Sequence, residues 1–271
     1  MDNPFFSAIR THQLAKNSLL CIGLDPHFGR LPAVVKGDEN PIFRFNKEII
    51  EATKDIACCY KPQIAHYSAV GAERELELTI NFIKSLGIPV LLDAKRGDVG
   101  STADMYAKEL FERYGADAIT VNPYLGLDSM EPYLSRSDKA VFILCRTSNP
   151  GSAEIQNTKV NAEEQVYERV AKLASGSWNY NSNIGLVVGA TNPLELRRVR
   201  EIVGEMCLLL PGIGAQGANI GETMEAGSNG EMLMSSSRAI IFADSGNDFG
   251  DAARQMAIKT RDEINLCRTM S

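Results

Sequence analysis

Residues 88–115 read IPVLLDAKRGDVGSTADMYAKELFERYG, and this stretch contains one complete unit of the predicted fold. The apolar run 88–92 has the length of a buried strand. Residues 98–114 place Met105, Leu110 and Phe111 on a helical pattern, and Gly115 supplies a natural stop. The stretch therefore predicts a strand, a charged connection and a helix.

The same unit recurs along the chain. Short apolar runs, mostly without alternation, suit parallel strands that are covered on both faces. They lie at 18–24, 57–64, 88–92, 116–121, 139–145, 184–189, 206–210 and 239–243. Segments with helical patterning lie between or after them, at 43–53, 73–86, 98–114, 127–134, 161–173, 193–203 and 248–267. Eight strands alternating with helices predict an α/β fold, a single-domain (β/α)₈ TIM barrel over residues 1–271.

The alternative fold is an open, doubly wound sheet. That fold usually carries a glycine-rich fingerprint directly after its first strand. Here the first run ends in GLDPHFG at 23–29, which lacks the fingerprint, so the closed barrel is favoured.

Composition narrows the class of protein. The chain has 271 residues, 44% of them hydrophobic, and a net charge of −6, which argues against a general nucleic-acid surface. No apolar run approaches the roughly 20 residues that span a bilayer, and the first residues lack a signal-peptide pattern. We therefore expect a cytoplasmic protein without membrane or nucleic-acid partners.

The six cysteines form no C-x-x-C pair and the three histidines show no metal-binding spacing, so reduced cysteines and no metal are expected.

Polar residues follow most of the runs, at the end where a barrel carries its chemistry. In LLDAKRGDVGST (91–102), the two-residue period of a strand brings Asp93 and Lys95 out on the same side. Asp98 is predicted to open the next helix and to share one face with Thr102. A solvated turn, with Asp98 capping that helix, is the alternative. Lys61 lies inside an apolar run and needs a buried anionic partner, so a network of lysines and aspartates is favoured.

Six motifs carry a family resemblance. They are GLDP at 23–26, YKPQIAHY at 60–67, DAKRGDVGST at 93–102, RTSNPG at 146–151, PGIGAQG at 211–217 and SSSRAIIFA at 235–243. Together they resemble the orotidine 5′-phosphate decarboxylases. The spellings DAKRGD, VNPYLG and SSSR are similar to those of the second-type bacterial branch. The resemblance covers residues 18–245.

The resemblance implies a reaction and a set of catalytic residues. The reaction converts orotidine 5′-phosphate to UMP and CO₂ in de novo pyrimidine biosynthesis, without a metal or an organic cofactor. Loss of CO₂ leaves a carbanion at C6 of the pyrimidine with no adjacent electron sink. Lys61, Asp93, Lys95 and Asp98 are implied to alternate around the departing carboxylate, with Lys95 stabilising the charge and then protonating C6.

The resemblance also implies the binding residues and the assembly. Asp25 and Lys61 correspond to ligands of the ribose hydroxyls, and Ser148 to the serine that reads the pyrimidine edge. Gln216 and Arg238 correspond to the phosphate-binding pair. Asp98 and Thr102 are implied to come from the neighbouring subunit, which requires a homodimer with shared active sites. A lid over the phosphate is expected in the glycine-rich segment 217–231.

Two other functions remain as alternatives. A Mg²⁺-dependent sugar-phosphate decarboxylase or synthase on the same barrel would need acidic ligands after neighbouring strands, yet the fourth run is followed by VNPY. A nucleotide-binding module without catalysis would have no use for a lysine beside Asp93.

Overall fold

Eight parallel strands form the barrel in the computed structural model, which describes residues 3–214 and 218–268. They are β1 Leu20–Leu24, β2 Cys59–Pro62, β3 Leu91–Arg96, β4 Ala118–Val121, β5 Ala140–Arg146, β6 Ile184–Val188, β7 Leu208–Pro211 and β8 Met232–Ser236. The sheet order is β2-β1-β8-β7-β6-β5-β4-β3. Two isolated bridges, Tyr60 to Val90 and Gln63 to Asp93, join β2 to β3. The predicted (β/α)₈ barrel is therefore confirmed, and the open sheet is wrong.

Helices surround this barrel. They are α1 Pro4–Lys16, α2 Pro41–Thr53, α3 Ala65–Ser68, α4 Glu73–Ser85, α5 Gly100–Lys108, α6 Leu127–Leu134, α7 Ala153–Gln156, α8 Val166–Ser175, α9 Pro193–Val203, α10 Ile220–Gly227, α11 Arg238–Ile241 and α12 Phe249–Arg268. A π-helical turn at Glu109–Arg113 extends α5. The predicted helices are all present, although α8 begins five residues later than expected, because Gln165 and Glu168 form a capping box there.

The eighth strand is not where the sequence placed it. The prediction was 239–243, but β8 is Met232–Ser236 and the apolar run after it forms α11. Ile240 and Ile241 are fully buried in this single helical turn. A buried strand and a buried helical turn give similar short apolar runs, and two serines at the end of β8 weakened its apolar signal.

The barrel is filled and closed at its N-terminal end. Phe5, Phe6 and Ile9 of α1 belong to the same buried cluster as the inward-facing strand residues, and both phenylalanine rings pack edge-on against Phe142 of β5. Asn3 caps α1 through its side chain and donates to two backbone carbonyls at the barrel floor. We call these α1 residues the plug; the sequence did not predict it. Because the plug closes the N-terminal end, the C-terminal end of the barrel is the end that can hold an active site.

The structure also bears on the expected lid and on the cysteines. The predicted lid 217–231 is largely wrong, because residues 220–227 form α10, whose buried face packs against α9 and α12 in the outer ring. Five cysteines are buried and Cys267 is half-buried, and no disulfide joins any two of these six described residues, as expected for reduced cysteines. Among the described residues, no helix is long and apolar enough to cross a membrane. The extent of the domain, residues 1–271, stays a prediction.

Candidate active site

A polar layer lies directly above the apolar filling of the barrel. Lys61, Asp93 and Thr120 each come two residues after an inward-facing apolar residue of β2, β3 or β4. Because side chains alternate along a strand, all three point toward the barrel interior. All three are buried. The sequence therefore places a cation, an anion and a hydroxyl side by side on three neighbouring strands.

Asp93 is the centre of this layer. Its Oδ2 accepts a hydrogen bond from Lys61 Nζ at 3.2 Å, and its Oδ1 accepts from Lys95 Nζ at 2.6 Å and from Thr120 Oγ1 at 2.7 Å. The side chains of Lys61 and Asp93 are 7% and 9% exposed, whereas that of Lys95 is 43% exposed. Of these four side chains, that of Lys95, at the C-terminal end of β3, is the exposed one. The predicted contacts of Lys61 and Lys95 with Asp93 are confirmed, whereas Asp98 lies outside this network.

At Asp93 and Lys61, the opposite charges nearby shift the pKa more than burial does. Burial alone would raise the pKa of Asp93, but Lys61 and Lys95 hold that pKa well below its usual range. Burial alone would lower the pKa of Lys61, but the nearby carboxylates of Asp93 and Asp25 raise it above its usual value. Both side chains are therefore charged at neutral pH, and their positions are fixed by their mutual contacts.

The backbone at Lys95 departs from a regular strand. Lys95 has φ +46°, in the left-handed region that costs a side-chain-bearing residue about 1–3 kcal/mol. The pairing of β3 with β4 shifts between Leu92 and Arg96. Across this irregularity, Thr120 Oγ1 accepts hydrogen bonds from the backbone N–H groups of Ala94 at 3.0 Å and Lys95 at 2.9 Å. Thr120 was not among the predicted site residues; its signal in the sequence is a lone hydroxyl in the otherwise apolar stretch 118–121.

Asp25 lies at the end of β1, beside β2. It is half-buried, and its Oδ1 is buried without a hydrogen-bond partner in the described part of the chain. His66 Nδ1 lies 2.9 Å from the carbonyl oxygen of Pro26, which ties this loop to α3. An unpaired carboxylate oxygen beside Lys61 is suited to accept a hydrogen bond from a ligand hydroxyl.

The ends of β7 and β8 form a second polar region. The Arg238 side chain is exposed and makes no hydrogen bond or ion pair with residues 3–214 or 218–268. The hydroxyls of Ser236 and Ser237 are buried, and within those same ranges neither has a partner. Gly214 has φ +82°, and a Cβ there would lie 3.6 Å from Ser236 Oγ, so the two loops lie close together. A cation and two unpaired hydroxyls suit an anionic group; Gln216 lies outside the described residues.

The loop after β5 carries Ser148. A Cβ at residue 189 would lie 2.8 Å from the Ser148 Cβ, so the glycine at the end of β6 permits their close approach. Arg146, almost fully buried, donates to the carbonyl oxygen of Thr147 at 2.7 Å and to the Glu195 carboxylate on α9 at 3.3 Å. Arg146 thus holds the base of this loop.

Asp98 and Thr102 stand apart from the network. Asp98 Oδ1 accepts the N–H of Val99 at 2.8 Å, and α5 begins only at Gly100, with no side-chain cap. The prediction that Asp98 opens the helix, and the alternative that it caps the helix, are therefore both wrong. Asp98 makes no ion pair with any described residue, and Thr102 is exposed. Within one chain, the structure does not join either residue to Asp93 or Lys95.

Two other polar residues shape turns by accepting hydrogen bonds from the backbone. The Asn122 side chain accepts the N–H of Tyr124 at 3.0 Å, which shapes the turn after β4. Asp244 accepts the N–H of Gly246 at 2.9 Å in the turn after α11.

Comparisons with known proteins show the family of the chain. The model described as "Orotidine 5'-phosphate decarboxylase / HUMPS family" matches residues 18–251. Orotidine 5'-phosphate decarboxylase of Dechloromonas aromatica is 57% identical over 257 residues, covering 93% of this chain and 95% of the relative. The enzyme of the same name from Aromatoleum aromaticum is 53% identical over 269 residues, covering 97% and 99%.

The fold comparison leads to the same family. The structure of Leishmania donovani OMP decarboxylase superposes with a TM-score of 0.85 at 38% identity, covering 99% of this chain and all of that chain. A family model that matches most of the sequence, relatives above half identity and a shared barrel fold all lead to one family. The chain therefore belongs to the orotidine 5′-phosphate decarboxylase family.

Proposed function

We propose that the charged layer at the mouth of the barrel decarboxylates orotidine 5′-phosphate to UMP and CO₂. The observation that carries this proposal is the chain of contacts Lys61–Asp93–Lys95, buried at one end and open to the mouth at the other. The activity itself is that of the family to which the chain belongs. The roles of the individual residues, and a cytoplasmic location, are part of the proposal.

The chemistry follows from the fixed charges. Asp93 is ionised and cannot move away, because Lys61, Lys95 and Thr120 all hold it. A substrate carboxylate about 4 Å from Asp93 would be repelled by about 4 kcal/mol at an effective dielectric constant of 20. Departure of CO₂ relieves that repulsion, and the electron pair left on C6 faces the Lys95 ammonium. Lys95 stabilises the developing charge and then transfers one proton to C6.

The remaining residues bind the parts of the substrate that do not react. Asp25 and Lys61 are proposed to bind the ribose hydroxyls, which is supported by the unpaired Asp25 Oδ1. Arg238, with Gln216 and the hydroxyls of Ser236 and Ser237, is proposed to bind the phosphate. Ser148 is proposed to read the pyrimidine edge. Binding energy gained at the phosphate contributes to catalysis when it stabilises the geometry required at C6.

Asp98 and Thr102 are proposed to complete the active site of a second copy of the chain. Support comes from their lack of contact with their own network and from apolar side chains nearby. Val99, Met105 and Tyr124 are 52%, 64% and 79% exposed. The loops that carry Val99 and Tyr124 touch, because a Cβ at residue 97 would lie 3.3 Å from the Cβ of Asn122, and Met105 lies on α5, which directly follows the first of these loops. An exposed apolar patch beside unpaired polar residues is typical of a subunit interface.

Purified protein is expected to convert orotidine 5′-phosphate to UMP with one CO₂ per turnover, at an unchanged rate after treatment with EDTA. The positive charge at C6 comes from Lys95, and the described residues contain no group of three side chains that could hold a metal ion. The measurement is loss of substrate absorbance together with CO₂ release. Inhibition by EDTA that added Mg²⁺ reverses would favour the sugar-phosphate alternative instead.

Arg238→Ala is expected to lower kcat/KM for orotidine 5′-phosphate by about 10- to 100-fold, the equivalent of one or two charged hydrogen bonds. Turnover of orotidine, which lacks the phosphate, is expected to change little because it never uses the contact. Arg197→Ala is the matched control, since Arg197 is an exposed arginine paired with Glu225 on the outer ring. An equal loss with both substrates would remove Arg238 from the phosphate site.

A further inference from the structure

Thr120 makes three hydrogen bonds that all converge on the catalytic segment. Its hydroxyl donates to Asp93 Oδ1 at 2.7 Å and accepts the N–H groups of Ala94 at 3.0 Å and Lys95 at 2.9 Å. Thr120 Oγ1 therefore contacts both Asp93, which binds the Lys95 ammonium, and the backbone of Lys95. Thr120 itself is 1% exposed.

The Thr120 hydroxyl replaces backbone hydrogen bonds that are missing between β3 and β4. Regular pairing of β3 with β4 holds at Leu92 and resumes at Arg96, while β4 advances only from Ile119 to Val121. The extra residues on β3 would leave their N–H groups without a ladder partner, and buried N–H groups need one. Thr120 Oγ1 supplies that partner at the point where Lys95 adopts φ +46°.

We propose that Thr120 is a positioning residue that holds the Lys95 ammonium in the geometry required for protonation at C6. This inference rests on the proposed function, because it acts through Lys95 and Asp93. Thr120 keeps the left-handed turn at Lys95 and fixes the Asp93 oxygen to which Lys95 Nζ is bonded. Valine and alanine, which have no hydroxyl, leave both N–H groups without an acceptor and Asp93 Oδ1 with one donor fewer. Serine retains all three bonds.

The test compares Thr120→Val, Thr120→Ala and Thr120→Ser with the parent chain. Valine and alanine are expected to lower kcat by about 100-fold, since displacement of a reacting group by about 1 Å can cost that much. KM for the substrate and the Kd for UMP are expected to stay within about threefold, since the binding contacts lie elsewhere. Thr120→Ser is expected to retain kcat within about fivefold of the parent value.

Thr79→Val is the matched control for loss of a buried hydroxyl. Thr79 lies on α4, outside the charged layer, and its Oγ1 accepts a hydrogen bond from Asn46 at 3.1 Å and donates to the carbonyl oxygen of Glu75 at 2.7 Å. This variant is expected to lose thermal stability as the Thr120 variants do, but to keep the parent kcat. A role of Thr120 in stability alone would make the two positions behave alike.

The outcomes separate this inference from the proposed function. If Lys95→Ala is inactive while either folded Thr120→Val or folded Thr120→Ala keeps the parent kcat, the positioning role is wrong and the proposed function stands. If Lys95→Ala itself keeps the parent activity, Lys95 is not the proton donor and the role of Thr120 falls with it. A parent chain that does not decarboxylate orotidine 5′-phosphate would contradict the proposed function itself. A serine variant as slow as the valine variant would also contradict the role, because its hydroxyl is retained.

Discussion

Lys95→Ala is expected to abolish decarboxylation, with kcat at least about 10⁴-fold below the parent value, because one residue supplies both charge stabilisation and the proton. The Lys95 side chain is 43% exposed, so its removal costs little folding free energy. Asp93 keeps its bonds to Lys61 and Thr120 in this variant. The measurement is kcat under substrate saturation, with the thermal melting midpoint as a check on folding.

The matched control for this variant is Lys84→Ala. Lys84 also bonds an aspartate, Asp117 at 3.0 Å, and its side chain is 39% exposed, but it lies before β3 rather than at the mouth. Its removal is expected to change kcat by no more than about twofold. Activity of Lys95→Ala within about tenfold of the parent would exclude Lys95 as proton donor, since general acid catalysis alone is worth more than that.

Mixing two inactive variants, Lys95→Ala and Asp98→Ala, is expected to restore activity. If Asp98 completes the neighbour's site, a mixed dimer has one site with both lesions and one site with neither. With random reassociation, about half of the dimers are mixed, so about a quarter of the parent activity should return, as two-fold pairing requires. The measurement is activity after subunit exchange, which mass spectrometry of isotope-labelled chains can demonstrate.

The matched control is a mixture of Lys61→Ala with Lys95→Ala. Lys61 and Lys95 both contact Asp93 of their own chain, so each site of that mixed dimer carries one lesion and no activity should return. If exchange occurs and the mixture with Asp98→Ala also stays inactive, the shared site is wrong. Asp98 would then act only within its own chain, where it binds the N–H of Val99.

The sequence predicted best what depends on local periodicity. The strand and helix around residues 88–115 were identified because an apolar run, a charged segment and Gly115 follow one another closely. The partnership of Asp93 with Lys95 and Lys61 followed from two-residue alternation and from the need to pair a buried lysine. Met105 was grouped with helical core residues, yet it is exposed, since one residue on a helical pattern does not show which partner covers it.

Features that depend on distant contacts were not predictable. The plug formed by α1 is recognisable only once the barrel floor and Phe142 are in place. The left-handed conformation of Lys95 depends on the register of β4, which no local pattern encodes. Arg238 was assigned to the mouth by resemblance although strand β8 was misplaced; its position follows from β8 ending at Ser236.

A crystal structure with bound UMP tests the proposed chemistry most directly. We predict that the UMP phosphate lies within hydrogen-bond distance of Arg238, the ribose hydroxyls beside Asp25 and Lys61, and C6 next to Lys95 Nζ. Asp98 of a second copy of the chain should complete the same site. UMP bound with its pyrimidine away from Lys95, or with its phosphate away from Arg238, would contradict the proposed site.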